Sequence, residues 1–104
     1  MKDIADRCED FTALFAGADT LAIAAIKALY DAGKRVPDDV SLSVNDGIEI
    51  YNYLIPTLTT LCQPKDRLGE EAVRILVDVL EGRAGNRHIR LETTPRLGGT
   101  VKSL

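Results

Sequence analysis

The stretch Leu14–Gly33, LFAGADTLAIAAIKALYDAG, decides the fold. Ala13 to Ala16 form an apolar run that breaks at Gly17, and Asp19 then opens a long apolar segment that closes on Gly33. That pattern is a strand, a tight turn and a helix. The next stretch, Val36–Asp46, VPDDVSLSVND, returns a second β-rich run that also ends on an acidic residue. Together they read as one βαβ unit with carboxylates at both strand ends.

Working outward, Ile4 and Cys8 stand at i and i+4, so Asp3 to Asp10 reads as the last turns of a helix. Thr12 to Ala16 is then a short buried strand. The helix predicted over Asp19–Ala32 carries Leu21, Ala22, Ile23, Ala25, Ile26, Leu29 and Tyr30, an apolar surface wider than the single face a sheet needs. The surplus, Ile23 with Tyr30 and the Lys27 stem, predicts a second contact. Asp19 suits a helix N-terminus, where unpaired N–H groups favour negative charge, and Gly33 closes the helix.

Pro37, Asp38 and Asp39 make a turn, Val40 to Val44 the second strand, and Asn45, Asp46 and Gly47 break it. Ile48–Leu54, IEIYNYL, matches both strand and helix periods and reads as irregular or short helical. Leu58 to Cys62 is the third strand. After Gln63 and Pro64 a helix follows, with Leu68, Ala72, Ile75, Leu76 and Val79 on one stripe and a stop at Gly82. His88 to Leu91 reads as a last strand. The tail TTPRLGGTVKSL reads as exposed, with Pro95 confining its start to edge or coil.

A chain of 104 residues, 45% hydrophobic and 28% charged, builds one soluble α/β domain at most. Thirteen basic residues are scattered among sixteen acidic ones for a net charge of −3, which speaks against a nucleic-acid surface. The first residues, MKDIADRCEDF, lack an apolar core and are neither a signal peptide nor a membrane span, so a cytoplasmic protein is expected. Cys8 and Cys62 are far apart without C-x-x-C spacing and read as reduced thiols, not metal ligands. The single histidine, His88, has no nucleophile or acid arranged around it, and no phosphate-binding glycine loop is present. Neither an enzyme, a cofactor nor a metal is expected.

Candidate ligand contacts come from the strand ends. Ligands of open parallel α/β sheets sit beyond the carboxyl ends of the strands. The predicted strands end at Ala16, Val44 and Cys62, and just past them lie Asp19, Asn45 with Asp46, and Gln63. Carboxylates that accept from vicinal hydroxyls, beside amides that donate and accept, are the chemistry a polyol needs. Each has a plainer reading: Asp19 as a helix cap, Asp46 as a turn residue before Gly47, Gln63 as the residue ahead of Pro64.

The segment Phe15–Gly82, with its Asp before an Ala-rich helix, G-x-x-V-P-D-D-V, a strand ending in Asp, P-x-L-T-T, Gln and L-G-x-x-A, resembles the C-terminal part of the LacI/GalR transcription regulators. The resemblance implies a type I periplasmic-binding-protein-like fold, here an incomplete three-layer, Rossmann-like lobe. It implies that residues 1–104 are the C-terminal portion of an effector-binding domain, without the helix-turn-helix headpiece and most of the first lobe. It further implies a small-molecule effector, in this family usually a sugar or nucleobase and here expected to be a sugar, held by Asp46 and Gln63; a homodimer with Ile23, Tyr51 and Leu54 at the subunit contact; and DNA reached only through the headpiece. The alternative is a dimerisation module that binds no ligand.

Overall fold

The elements follow the chain as β1 (Ala13–Ala16), α1 (Asp19–Asp31), β2 (Ser41–Asp46), a 3-10 turn (Glu49–Tyr53), β3 (Thr59–Cys62), α2 (Lys65–Leu80) and β4 (Thr94–Arg96). The computed structural model describes residues 10–83, 85 and 87–103. The helical turns expected from Asp3, and Cys8 with them, lie outside the described residues apart from Asp10, which is in a turn. The chain divides into two compact units, residues 10–62 with 95–103, and residues 63–94.

In the first unit β1 and β2 run parallel from Ala13↔Ser41 to Ala16↔Val44, and β2 and β3 run parallel from Ser43↔Thr59 to Asp46↔Cys62. The strand order β1-β2-β3-β4 puts β4 on the edge. Strand alternation sends Leu42 and Val44 to one face, where both are buried. On that face α1 presents Ala22, Ala25 and Leu29, also buried, at i, i+3 and i+7. Alanines at 16, 22 and 25 let helix and sheet approach closely, and Leu58 and Tyr51 complete the cluster. Each fully buried leucine or valine there contributes about 1.5–3 kcal/mol.

The opposite face is open. Phe15 is 63% exposed and Leu61 39%, so β1 is not the buried strand its composition suggests, because the first unit has a helix on one side only. The wide apolar surface of α1 is likewise uncovered at Leu21 and Tyr30. The helix closes as predicted: the Lys34 N–H donates to the Leu29 carbonyl at 2.9 Å and the Gly33 N–H to the Tyr30 carbonyl at 3.0 Å, satisfying two of its last carbonyls.

Three sequence expectations are corrected. The last strand is Thr94–Arg96, not His88–Leu91; Ile89 and Leu91 instead line, with Leu68, Ala72 and Ile75 of α2, a cavity of about 560 Å³ within the second unit. Pro95 is tolerated because an edge strand can lack one N–H. Residues 93–97, 99 and 101–103 of the tail are exposed, as expected, but Thr100 is not. Thr100 is fully buried: its Oγ1 donates to the Leu42 carbonyl at 2.7 Å and accepts from the Thr59 N–H at 2.8 Å. Its own carbonyl accepts from the Leu42 N–H at 2.7 Å, and the Gly99 N–H donates to the Thr57 carbonyl at 2.7 Å. Residues 98–100 thus lie beside the start of β2 and the residues that lead into β3, ahead of the first β2–β3 pair at Ser43↔Thr59.

Tyr51 is the third correction. It lies in the core at 5% exposure, with the Arg96 guanidinium 5.2 Å from its ring centroid, and is not on an outer surface. A 3-10 turn repeats every three residues. That period turns Ile48, Tyr51 and Leu54 inward and leaves Ile50 and Tyr53 outside, at 43% and 80% exposure. Leu54 is half-buried against the core and Ile23 half-buried on α1, whereas Tyr53 and Ile55, beside Leu54, stand clear of the surface.

In the second unit α2 has no buried residue among those described, although its amphipathic stripe is as predicted. An ion-pair chain, Glu71–Arg74–Asp78–Arg83, runs along its polar side.

Candidate functional site

Because β1, β2 and β3 are parallel, their carboxyl ends share one edge. β2 runs through Asn45 and Asp46 instead of ending at Val44, since both residues pair with β3, Asn45 with Leu61 and Asp46 with Cys62. Both lie beyond the last β1 pair, at the level where β1 turns through Gly17 and Ala18 into α1. Adjacent strand residues face opposite sides. Asp46 therefore shares the α1 side with Leu42 and Val44, whereas Asn45 shares the open side with Ser43. Both are half-buried and reachable.

Asp19 is fully buried, an unusual position for a carboxylate. It is not the helix cap: Ala18 holds that position with no side-chain capping bond, and Asp19 is the first residue inside the helix. Its Oδ2 accepts instead from the backbone N–H of Ile48 at 2.6 Å, across 29 residues of sequence. Its Oδ1 is buried with no hydrogen-bond partner among the described residues. Asp19 therefore joins the β1–α1 turn to the turn that leaves β2.

Gly47, between Asp46 and Ile48, has φ +72°, and a Cβ built on it would stand 2.7 Å from Cys62 Cα. Only glycine permits that backbone at that distance. The structure thus brings Asp19, Asn45 and Asp46 to one edge of the first unit. Gln63 is half-buried and opens the second unit, where its carbonyl accepts from the Lys65 N–H at 2.9 Å.

The Ile48 amide is the participant that reading side chains misses. Every residue but proline carries this donor, so the only sequence signal was the glycine before it. Among the described residues no group of three or more His, Cys, Asp or Glu is gathered as a metal site, and no helix is long and apolar enough to cross a membrane. What the edge offers is a carboxylate and an amide on a fixed turn, a set that hydrogen-bonds hydroxyls.

Residues 1–101 match the model of the periplasmic binding protein-like domain. The chain is 40% identical over 94 residues to the ribose operon repressor of Haemophilus influenzae, a match covering 89% of this chain and 28% of that protein. Among solved structures it is similar to a LacI family transcriptional regulator from Enterococcus faecium with bound ribose, at TM-score 0.88 and 29% identity over 99% of this chain and 40% of that one. It is also similar to the lac repressor dimer bound to operator and an anti-inducer, at TM-score 0.89 and 26% identity over 98% of this chain and 36% of that one. The chain spans 23–28% of the length of the curated relatives it matches.

Proposed function

Since this chain belongs to the periplasmic-binding-protein-like domain of the LacI-type transcription regulators, we propose that it supplies the C-terminal part of an effector site and a subunit contact in a cytoplasmic, sugar-responsive regulator. The relatives are transcription regulators, and in this reading the chain binds and signals without catalysing. DNA contact is assigned to no residue of this chain. The observation that carries the reading is Asp46, half-buried at the carboxyl end of a parallel strand, beside a turn whose backbone is held on both sides.

A carboxylate in that position accepts hydroxyl protons in charge-assisted hydrogen bonds. Gln63, Asn45 and the residues of a facing lobe complete the site in this proposal. An effector changes the output by binding one arrangement of the regulator more tightly than another. D-ribose is the first sugar to try, because one relative is a ribose operon repressor and another was solved with ribose bound. Calorimetry with a sugar panel tests it. Saturable heat that Asp46→Asn removes supports the site, and equal heat from both proteins refutes it.

A second reading rests on a different observation. Tyr53 and Ile55 are 80% and 98% exposed on one short segment, with Ile50 nearby in sequence. Such residues suit a homodimer contact, and a stable dimer that takes up no sugar favours a pairing module over an effector site.

A further inference from the structure

We propose that Asp19 is a positioning residue for effector binding: its bond to the Ile48 amide fixes the Asp46–Gly47–Ile48 turn in the conformation that presents Asp46 to a hydroxylated ligand. The proposal rests on the effector reading for its purpose, but the geometry behind it stands independently. Asp19 is wholly buried, yet it does not cap its helix. Its Oδ2 accepts from a backbone amide two residues past Asp46.

The turn is held at three successive residues. Asp46 is paired with Cys62 in the sheet, Gly47 is seated against the Cys62 backbone and Sγ, and Ile48 is tied to Asp19. A turn free to move would have to be ordered by the ligand, and that ordering would be subtracted from affinity. Burying a carboxylate for a single bond, with Oδ1 left unpaired, is a poor way to stabilise a fold. It is a good way to place a turn.

Two variants break the tie from opposite ends. Asp19→Ala removes the acceptor. Ile48→Pro removes the donor at a residue whose φ of −74° proline accepts. Asp19→Asn retains an oxygen that accepts from the same amide. Amide hydrogen exchange is measured by NMR on the chain and on the Asp19 variants, and D-ribose is titrated calorimetrically into all four proteins.

The expected result is exchange at Ile48 about tenfold faster in Asp19→Ala, the equivalent of one hydrogen bond. Leu42 and Val44 keep their protection, and Asp19→Asn restores that of Ile48. D-ribose affinity falls by about tenfold in Asp19→Ala and Ile48→Pro and recovers in Asp19→Asn. Unchanged protection at Ile48, or loss at Leu42 and Val44 in step with it, overturns the tie as a positioning device. Undiminished D-ribose affinity in both tie-breaking variants overturns its role in binding. A wild-type chain that takes up no D-ribose overturns ribose as effector, while the exchange comparison still decides whether Asp19 fixes the turn. If Asp19→Ala does not fold, Ile48→Pro carries the affinity comparison, since proline leaves no amide at that position to exchange.

Discussion

Replacing Thr100 by valine keeps the shape of the side chain and deletes the one hydroxyl that joins the tail to two strands. The Oγ1 donates to the Leu42 carbonyl at 2.7 Å and accepts from the Thr59 N–H at 2.8 Å, in a site with no solvent exposure. Valine leaves a buried carbonyl and a buried N–H without their partner, each at a cost of about 1–3 kcal/mol. The added methyl group returns up to about 0.8 kcal/mol. The Leu42 carbonyl has a second lone pair that can relax toward another donor, so the lower half of the range applies, a net loss of about 2–3 kcal/mol. For a domain of this size that lowers the melting temperature by roughly 8–24 °C.

Thr100→Ser is the control. It keeps the hydroxyl and loses one methyl group, for about 1 kcal/mol. Urea unfolding followed by circular dichroism separates the two, because an unchanged slope with a lower midpoint reports stability alone. If Thr100→Ser costs as much as Thr100→Val or more, the hydroxyl is not what holds the tail, and packing of the methyl group must take its place in the account.

Two glycines should respond in opposite directions. Gly98→Ala would place a Cβ 2.3 Å from the Thr57 carbonyl oxygen, a backbone atom that cannot easily withdraw, and should destabilise by at least about 1–3 kcal/mol. Gly69→Ala, in the interior of α2 with nothing within 4 Å of the new methyl, should stabilise by about 0.5–1 kcal/mol in the same thermal melts. For the proposed dimer, Tyr53→Glu with Ile55→Asp should move sedimentation to the monomer and leave far-ultraviolet circular dichroism unchanged. A monomer before substitution, or a dimer after it, removes this segment from the interface.

The parallel βαβ core was legible because its signals are local. An apolar run ending at Gly17, an apolar helix closed by Gly33 and a second run through Val44 need only period and punctuation. The ends of β1 and β3 were legible for the same reason, and with them the edge that carries Asp19 and Asp46, although β2 runs two residues past the predicted Val44. What sequence reading missed depends on partners distant along the chain. Asp19 looked like a cap because capping residues are recognised by position, whereas its real partner is the Ile48 amide. The segment IEIYNYL read as irregular or short helical, and it is a 3-10 turn, but a segment that matched two periods did not show that Tyr51 faces the core. Thr100 looked like tail because Gly98 and Gly99 usually mark loops; here their lack of side chains lets the backbone lie against Pro56–Leu58.

The seat of Thr100 also sets an order of events during synthesis. The donors and acceptors it satisfies belong to residues made 58 and 41 positions earlier. Until residue 100 has left the ribosome, the Leu42 carbonyl and the Thr59 N–H lack the partner they have in the finished unit, and the start of the sheet stays open to water. Nascent chains generally fold in the order they emerge. This unit cannot finish that way, since its first strands wait for a residue that arrives after all of α2.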